Sequence, residues 1–555
     1  MNRKTIIYQL FPRLFTNQCS SPLHNGNIKQ NGAGKMNDID LTVLKKIKDL
    51  GITHVWYTGV IRHATKTHYR GIPDCNPYIV KGNAGSPYAI TDYYDIDPDI
   101  ATSISKRMQE FEKLVKRTHQ AGLKVIIDFV PNHVARQYHS IAKPQDVEDL
   151  GASDNKDCSF SPDNNFYYMP GEQFAPGIDL GQGKDFYFEK PAMATGNDCF
   201  HPYPSANDWY ETIKLNYGID YHNGEKHFYP TPSTWHKMLH ILLFWAGKDV
   251  DGFRCDMAHM VPLEFWNWAI PQVKKQFPNI VFIAELYDTG IYRDFIFNGH
   301  FDYLYDKVSL YDTLRAVTCG KASASTITHC WQTVEGIGNH MLNFLENHDE
   351  QRCASPQWAG DPFKTLPALV VAATMSRAPF MIYMGQELGE PALDAEGFSG
   401  QDGRTTIFDY WSLDTLRRWY NNGKCDNTRL TKDERDLRRF YKKVLRMCNS
   451  EKAIAHGGFY DLMYANYHSM NCEKVYAFYR HYGNDFLLII ANFGDQDETI
   501  NLHTPQHALD AMHLQPGVYH ARELLTSSNM LLTIDPDVPD NITIDHRNAM
   551  IIKLM

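Results

Sequence analysis

The sequence predicts an α/β protein built on a (β/α)8 TIM barrel, with an inserted subdomain after strand 3 and a C-terminal antiparallel β-sandwich. Three observations predict it. Eight short runs rich in β-branched and aromatic residues alternate with amphipathic stretches of helical period. The interval between the third and fourth runs is long, aperiodic and rich in Gly, Pro, Asn and Asp. From residue 452 onward the pattern changes to short strands divided by turn residues.

The eight strand candidates are Ile6–Phe11, Thr53–Gly59, Lys124–Val130, Gly252–Asp256, Ile280–Leu286, Phe301–Tyr305, Leu342–Glu346 and Pro379–Met384. Leu41, Leu44 and Ile47 fall on one face of a helix ending near Leu50. Ser103–Gly122 repeats the pattern with Met108, Phe111, Leu114 and Val115, and Gly122 stands where a helix ends. Thr234–Gly247 and Asp361–Arg377 read the same way. Strands alternating with helices imply a parallel sheet. A doubly wound open sheet would need a glycine-rich phosphate turn that the chain lacks. A barrel core takes about 250 residues, so of the 555 present roughly half must lie elsewhere. The predicted division is 1–133 with 222–451 as barrel, 134–221 as a lid-like insertion and 452–555 as sandwich. Val475–Tyr479, Phe486–Ala491 and Met550–Leu554 are the clearest sandwich strands.

Composition excludes several classes. Hydrophobic residues at 43% and charged residues at 22% are ordinary for a globular chain. The net charge of −10, with no Lys/Arg blocks, argues against nucleic acid as a partner. No apolar run is long and uninterrupted enough for a membrane span, since Leu366–Met384 contains Pro367, Arg377 and Pro379. Met1–Ile7 lacks the apolar core of a signal peptide, and the 11 scattered cysteines suit a reducing compartment, so a cytoplasmic location is expected. Asn31–Lys35 and Asp95–Asp99 are incomplete as phosphate and calcium loops.

Catalytic groups of such barrels come from the C-terminal ends of strands. Four strand ends supply them here: Asp128–His133, Arg254–Asp256, Glu285 and Glu346–Asp349. Residues two apart on a strand share a face, so Arg254 is expected beside Asp256, where its charge would keep a nucleophile ionised. Glu285, preceded by Phe282, Ile283 and Ala284, is expected in apolar surroundings that favour a general acid. Two carboxyl groups so opposed are the equipment of retaining glycoside hydrolysis. Asp349 is a third carboxylate, placed to stabilise developing positive charge.

These residues bring out a likeness. The chain resembles the α-amylase family of glycoside hydrolases, family 13, and within it α-amylase and neopullulanase-like enzymes. Asp128-Phe-Val-Pro-Asn-His133, Gly252-Phe-Arg-Cys-Asp256, Phe282-Ile-Ala-Glu285 and Phe344-Leu-Glu-Asn-His-Asp349 are similar to its four ordered motifs. Gly51–Val60, Met384–Glu387 and Lys214–Asn216 resemble its second-strand, eighth-strand and inserted-domain signatures. The resemblance implies Asp256 as nucleophile, Glu285 as acid/base and Asp349 as transition-state stabiliser. It implies Tyr88 as a stacking platform, and Asp92, His133, Arg254, His348 and Arg352 as further substrate contacts. The implied substrate is starch, maltodextrin or a related α-glucan, cut at α-1,4 or α-1,6 bonds with no cofactor in the chemistry.

Two departures stand out. His259 and Met260 occupy positions that are Lys-His in many α-amylases, and Lys214 stands where an acidic residue is frequent. They leave open whether the structural calcium of many relatives, which uses an Asn like Asn132, is kept here. A transglycosylase or exo-acting α-glucosidase would use the same triad. A non-catalytic carbohydrate-binding protein would have lost it, and a metal-dependent hydrolase would need more histidines at strand ends than His133 and His348.

Overall fold

Residues 3–393, 395–398 and 400–555 are described by a computed structural model of the chain. Eight parallel strands close into a barrel: β1 (Ile6–Leu10), β2 (His54–Tyr57), β3 (Lys124–Phe129), β4 (Gly252–Cys255), β5 (Val281–Ala284), β6 (Tyr303–Tyr305), β7 (Met341–Phe344) and β8 (Phe380–Tyr383). Each pairs with its neighbours in sequence, and β8 pairs back onto β1. All eight predicted runs are therefore strands, each trimmed by one or more residues at its ends. The residues trimmed from the C-terminal ends of β4 and β5 include Asp256 and Glu285, which leave the ladder and line the barrel mouth.

A helix follows every strand and covers the outer face: Leu41–Lys48, Arg107–Gln120, Ser233–Ala246, Leu263–Gln276, Tyr292–Phe297, Asp312–Thr318, Leu366–Thr374 and Lys432–Ser450. Helices on the outside and side chains within bury both faces of the sheet, so its strands tolerate near-continuous apolar sequence. In the first helix Val43, Leu44 and Ile47 are the buried residues, so Val43 takes the place expected for Leu41. The side chain of Asp40 caps it by accepting from the Val43 amide at 2.9 Å. The second helix ends as predicted, with Gly122 just past its cap at φ +73°. Gly252 lets β4 approach β5 closely, because a Cβ there would lie 2.9 Å from the Val281 carbonyl oxygen.

Between β3 and β4 the chain leaves the barrel. His133–Ala135 pairs antiparallel with Thr212–Lys214, which brings the excursion back to where it began. Within it Phe174, Leu180, Tyr187, Ala192 and Tyr210 form a small apolar cluster of their own with Ile79. A buried ion pair, Arg136 to Glu189 at 2.7 Å, ties it further, with the Phe174 ring 3.7 Å from the Arg136 guanidinium.

The C-terminal part is antiparallel. Strands β9 (Gly458–Asp461), β10 (Val475–Tyr482), β11 (Asp485–Asn492), β12 (Glu498–Leu502), β13 (Gly517–Glu523), β14 (Asn529–Ile534), β15 (Asp540–Ile544) and β16 (Asn548–Leu554) form two sheets. One has the order β9-β10-β11-β16-β13-β14, and β12 pairs with β15 in the other. The helix Leu366–Thr374, apolar but for Thr374 and buried along its whole length, lies between barrel and sheet and joins their cores. Arg480 of β10 fastens the junction by donating to the carbonyls of Met375, Ala453, Ile454 and Gly457. All 11 cysteines are free thiols. Among the described residues no helix is long and apolar enough to cross a membrane.

Candidate active site

The barrel strands deliver their polar ends to one place. Register sets Arg254 of β4 opposite Asp128 on β3 and Ile283 on β5. From there its guanidinium reaches three carboxylates. Nη1 lies 2.8 Å from Asp256 Oδ1 and 3.4 Å from Asp128 Oδ1, and Nη2 lies 2.7 Å from Glu285 Oε2. Aromatic rings of Trp56, Tyr88 and Tyr305 surround it at 5.3 to 5.6 Å, a favourable setting for a flat delocalised cation.

Immediately after Asp256, Met257 adopts a left-handed conformation at φ 43°. Such a conformation costs a non-glycine residue about 1–2 kcal/mol. The bend aims the Met257 amide at Glu285 Oε2, 2.8 Å away. Tyr287 donates to the other Glu285 oxygen at 2.5 Å. The apolar surroundings expected of Glu285 are thus corrected: its apolar neighbours in sequence are buried, but its carboxylate is held by an ion pair and two hydrogen bonds.

On β7 the chain turns through Glu346 and Asn347 to His348 and Asp349. Burial and the nearby Arg254 charge push His348 well below its ordinary range, so its ring is neutral. Gln9 Nε2, 2.8 Å away, donates to its Nδ1. The proton then sits on Nε2, which faces the Tyr88 oxygen at 2.6 Å and Asp349 Oδ2 at 3.1 Å. The Tyr88 ring stacks on the His348 ring at 5.2 Å and 29°.

Tyr88, His133, Asp256, Glu285 and Asp349 line one cavity of about 370 Å3, together with Trp209 and Tyr287. Arg254 and His348 stand directly behind that wall. Burial and the Lys214 and Lys81 charges push His133 down to about 3, so this ring too is a neutral contact. Asp256 behaves differently from expectation. Arg254 does pull its carboxyl down, but burial outweighs that pull, and Glu285, Asp128 and Asp349 add like charge, so the carboxyl is held well above its usual range. Asp349 is pushed up by burial and by Glu285, and Asp128 is raised to about 6, mainly by burial.

Two expected substrate contacts lie away from the cavity. Asp92 is fully buried and binds the chain just past the insertion's first strand. It accepts from Ser140 Oγ at 2.5 Å and from the Ile141 and Ala142 amides at 2.8 and 3.0 Å, and pairs with Arg62 at 3.5 Å. Arg352, also fully buried, donates to Glu346, Thr405 and the Met384 carbonyl, and lies 4.0 Å over the Tyr383 ring. Both oxygens of Asp92 are taken by partners within the fold, and Arg352 spends Nε and Nη1 on such partners while its Nη2 stays buried without one; neither side chain lines the cavity. Gln9 and Tyr287 are contributors that motif reading missed. The signal for Gln9 was an amide inside the otherwise apolar run Ile6–Phe11, and for Tyr287 its place two residues past Glu285.

At the edge of the site, Lys214 is buried with its Nζ 2.7 Å from Asn132 Oδ1 and 2.5 Å from Asp198 Oδ1. It thereby joins the end of β3 to the insertion.

A TIM barrel with three carboxylates at the C-terminal ends of β4, β5 and β7 defines a class of glycoside hydrolase. Comparison with known proteins agrees. Residues 9–283 match the family description "Alpha amylase, catalytic domain". Alpha-amylase 2 of Dictyoglomus thermophilum is 22% identical over 547 residues, covering 96% of this chain and 77% of that protein. A cyclomaltodextrinase of Thermoanaerobacter pseudethanolicus is 23% identical over 542 residues, covering 95% and 75%. Among solved structures, the maltogenic alpha-amylase AmyB of Thermotoga neapolitana superposes with a TM-score of 0.64 at 19% identity, over 100% of this chain and 99% of that one. The chain belongs to the α-amylase family and is a glycoside hydrolase.

The placement of Asp92 is testable. Asp92→Asn removes the ionic half of a buried cluster and is expected to cost about 1–3 kcal/mol of stability, read from thermal unfolding, while KM for maltooligosaccharides stays unchanged. A raised KM at unchanged stability would restore Asp92 to the sugar.

Proposed function

We propose that the chain is a retaining α-glucan hydrolase that cuts α-1,4 glucosidic bonds of maltodextrin or starch, with α-1,6 bonds as a second linkage. The observation that carries this is the Arg254 bridge. Adjacent nitrogens of one guanidinium hold Asp256 and Glu285 at 2.8 and 2.7 Å. That keeps the two carboxyl groups close, as the retaining class requires at about 5–5.5 Å.

In this reading Asp256 attacks the anomeric carbon as the glycosidic C–O bond breaks, and Glu285 gives its proton to the departing oxygen. Glu285 then takes a proton from water, whose oxygen forms the new bond to the anomeric carbon and releases Asp256. Asp349 stabilises the positive charge at the ring, Tyr88 and His133 hold the sugar, and His348 positions Tyr88 and Asp349 from behind the wall. The barrel, 1–133 with 222–451, supplies the carboxylates. The insertion, 134–221, adds Trp209, Glu211 and Thr212 to the cavity, and 452–555 braces the back. No cofactor enters these steps.

The calcium of many relatives does not fit the residues present. An Asn132 side-chain oxygen would be its ligand, and here that oxygen and Asp198 already face the buried Lys214 ammonium. We read Lys214 as the fixed cation of this position. Chelation is then expected to leave the melting temperature unchanged, while Lys214→Met lowers it. Stability lost to a chelator and recovered with calcium would overturn the assignment.

Asp256→Asn is expected to lower turnover of maltoheptaose by at least about 10^4-fold, with binding retained by calorimetry. Near-normal activity would remove Asp256 from the nucleophile's place, and products longer than the input would turn the reading to transfer. Asp128 helps keep the Asp256 carboxyl high. Asp128→Asn should therefore let Asp256 ionise at lower pH and move the acid limb of the kcat/KM profile downward. An upward shift would contradict the charge balance drawn here.

A further inference from the structure

The two oxygens of Glu285 are held unequally. Oε2 accepts from the Met257 amide at 2.8 Å and faces Arg254 Nη2 at 2.7 Å. A carboxylate oxygen offers about two lone-pair sites, so Oε2 is fully engaged. Oε1 has a single partner among the described residues, Tyr287 Oη at 2.5 Å. One site on Oε1 is left over, and Glu285 and Tyr287 both line the cavity. The proton that Glu285 gives to a glycosidic oxygen must therefore ride on Oε1.

Local structure brings the hydroxyl there. Glu285 and Tyr287 are two residues apart on the extended chain leaving β5, so their side chains project together. The Glu285 amide donates to the Cys255 carbonyl at 3.0 Å, and its own carbonyl accepts from the Ala258 amide at 3.1 Å. Leu286, between the two, is fully buried. The half-buried Tyr287 ring meets the His259 ring edge-on at 6.2 Å and 70°. Its hydroxyl makes no other hydrogen bond among the described residues. Burial and the Glu285 charge push the phenol well above its ordinary range, so it keeps its proton and donates.

A donor on a carboxylate favours the ionised form over the protonated one. The other groups facing Glu285 come from neighbouring strands: Asp128 on β3, Arg254 and Asp256 at the end of β4, Tyr305 on β6 and Asp349 past β7. His259 faces it from the turn after Asp256, where burial lowers its ring below the ordinary range. All of these stay in place when the Tyr287 hydroxyl alone is removed.

We propose that Tyr287 is the positioning residue of the acid/base. Its hydroxyl fills one site of Glu285 Oε1, so a proton on that oxygen takes the other and is aimed at the leaving glycosidic oxygen. Once that proton has gone, the same hydroxyl holds the ionised Oε1 ready for water. In the first half the Oε1–H bond breaks and its proton passes to the glycosidic oxygen as the C–O bond opens. In the second, Oε1 takes a proton from the water whose oxygen bonds to the anomeric carbon. The tyrosine proton stays on its own oxygen throughout. This rests on the hydrolase reading above, with Glu285 as acid/base.

Tyr287→Phe deletes the hydroxyl and keeps the ring with its packing on His259. Two readouts test it, and neither depends on how much of the preparation is folded. The first is the pH profile of kcat/KM for maltoheptaose, whose alkaline limb reports the acid losing its proton. Without the donor that proton is held to higher pH, and the limb is expected to move upward by about one unit. The second is the leaving group. α-Maltosyl fluoride departs as fluoride and needs little proton donation, so a proton badly aimed is felt on maltoheptaose. Its kcat/KM should drop at least about tenfold further than that of the fluoride. A limb that stays in place or moves downward, or an equal drop on both substrates, would reduce Tyr287 to packing and overturn the proposal while leaving the hydrolase reading intact. Wild-type enzyme that left maltoheptaose uncut would overturn the hydrolase reading and this one with it.

Discussion

Arg254 is the residue on which the site's geometry depends. A guanidinium taken out of water is costly, and a buried one is retained only when carboxylates and hydrogen bonds replace its hydration. Here the replacements come from three strands: Asp128 after β3, Asp256 after β4 and Glu285 after β5. One cation therefore sets the spacing of the groups that would attack and protonate. The count is also unbalanced. Three carboxylates face one guanidinium, with Asp349 close by, so the cavity carries surplus negative charge in a dry setting. Burial first, and that surplus after it, raise Asp256 despite its ion pair. The surplus is also what an oxocarbenium-like transition state would find already in place, since the charge is built into the fold and needs no solvent to reorganise.

Much of the barrel was legible in the sequence because its signals are local. A parallel strand covered on both faces announces itself as an apolar run, and a polar residue at its end is conspicuous for being out of pattern. Asp256, Glu285 and Asp349 were visible on those grounds, and the structure places all three on one cavity. What escaped depends on partners far away in the chain. Asp92 looks like a cleft residue until Ser140, Ile141 and Ala142 fold onto it. Arg352 looks free until Glu346 and Thr405 surround it. The expected balance at Asp256 failed for a related reason, because Arg254 was visible two residues away and the degree of burial was not.

Lys214 shows how a loop excursion can be fastened at its root by one of the chain's own charges. The insertion leaves after β3 and returns on the strand Thr212–Lys214, paired with His133–Ala135. Register puts Lys214 opposite His133, so its side chain enters at the root of the excursion and meets Asn132 and Asp198 there. An ammonium offers three donors at a fixed point of the chain. Its position is set by a strand ladder, whereas a bound ion would depend on its concentration. Burial, and after it the same charge, push neighbouring His133 down, which keeps that ring neutral.

The division of labour between strands and loops follows from these contacts. The barrel's strand ends hold charges, and they are linked through Arg254, so a change at one is felt at the others. The surrounding wall is made by segments that meet through backbone carbonyls and one ion pair, such as Phe408 with Ala84 and Gly85, and Lys81 with Glu211. Those ties shape the wall of the cavity without including any of its three carboxylates. The wall is therefore adjustable independently of the charges: a longer or looser connection after β8 would reshape it while Arg254 still held Asp256 and Glu285 in place.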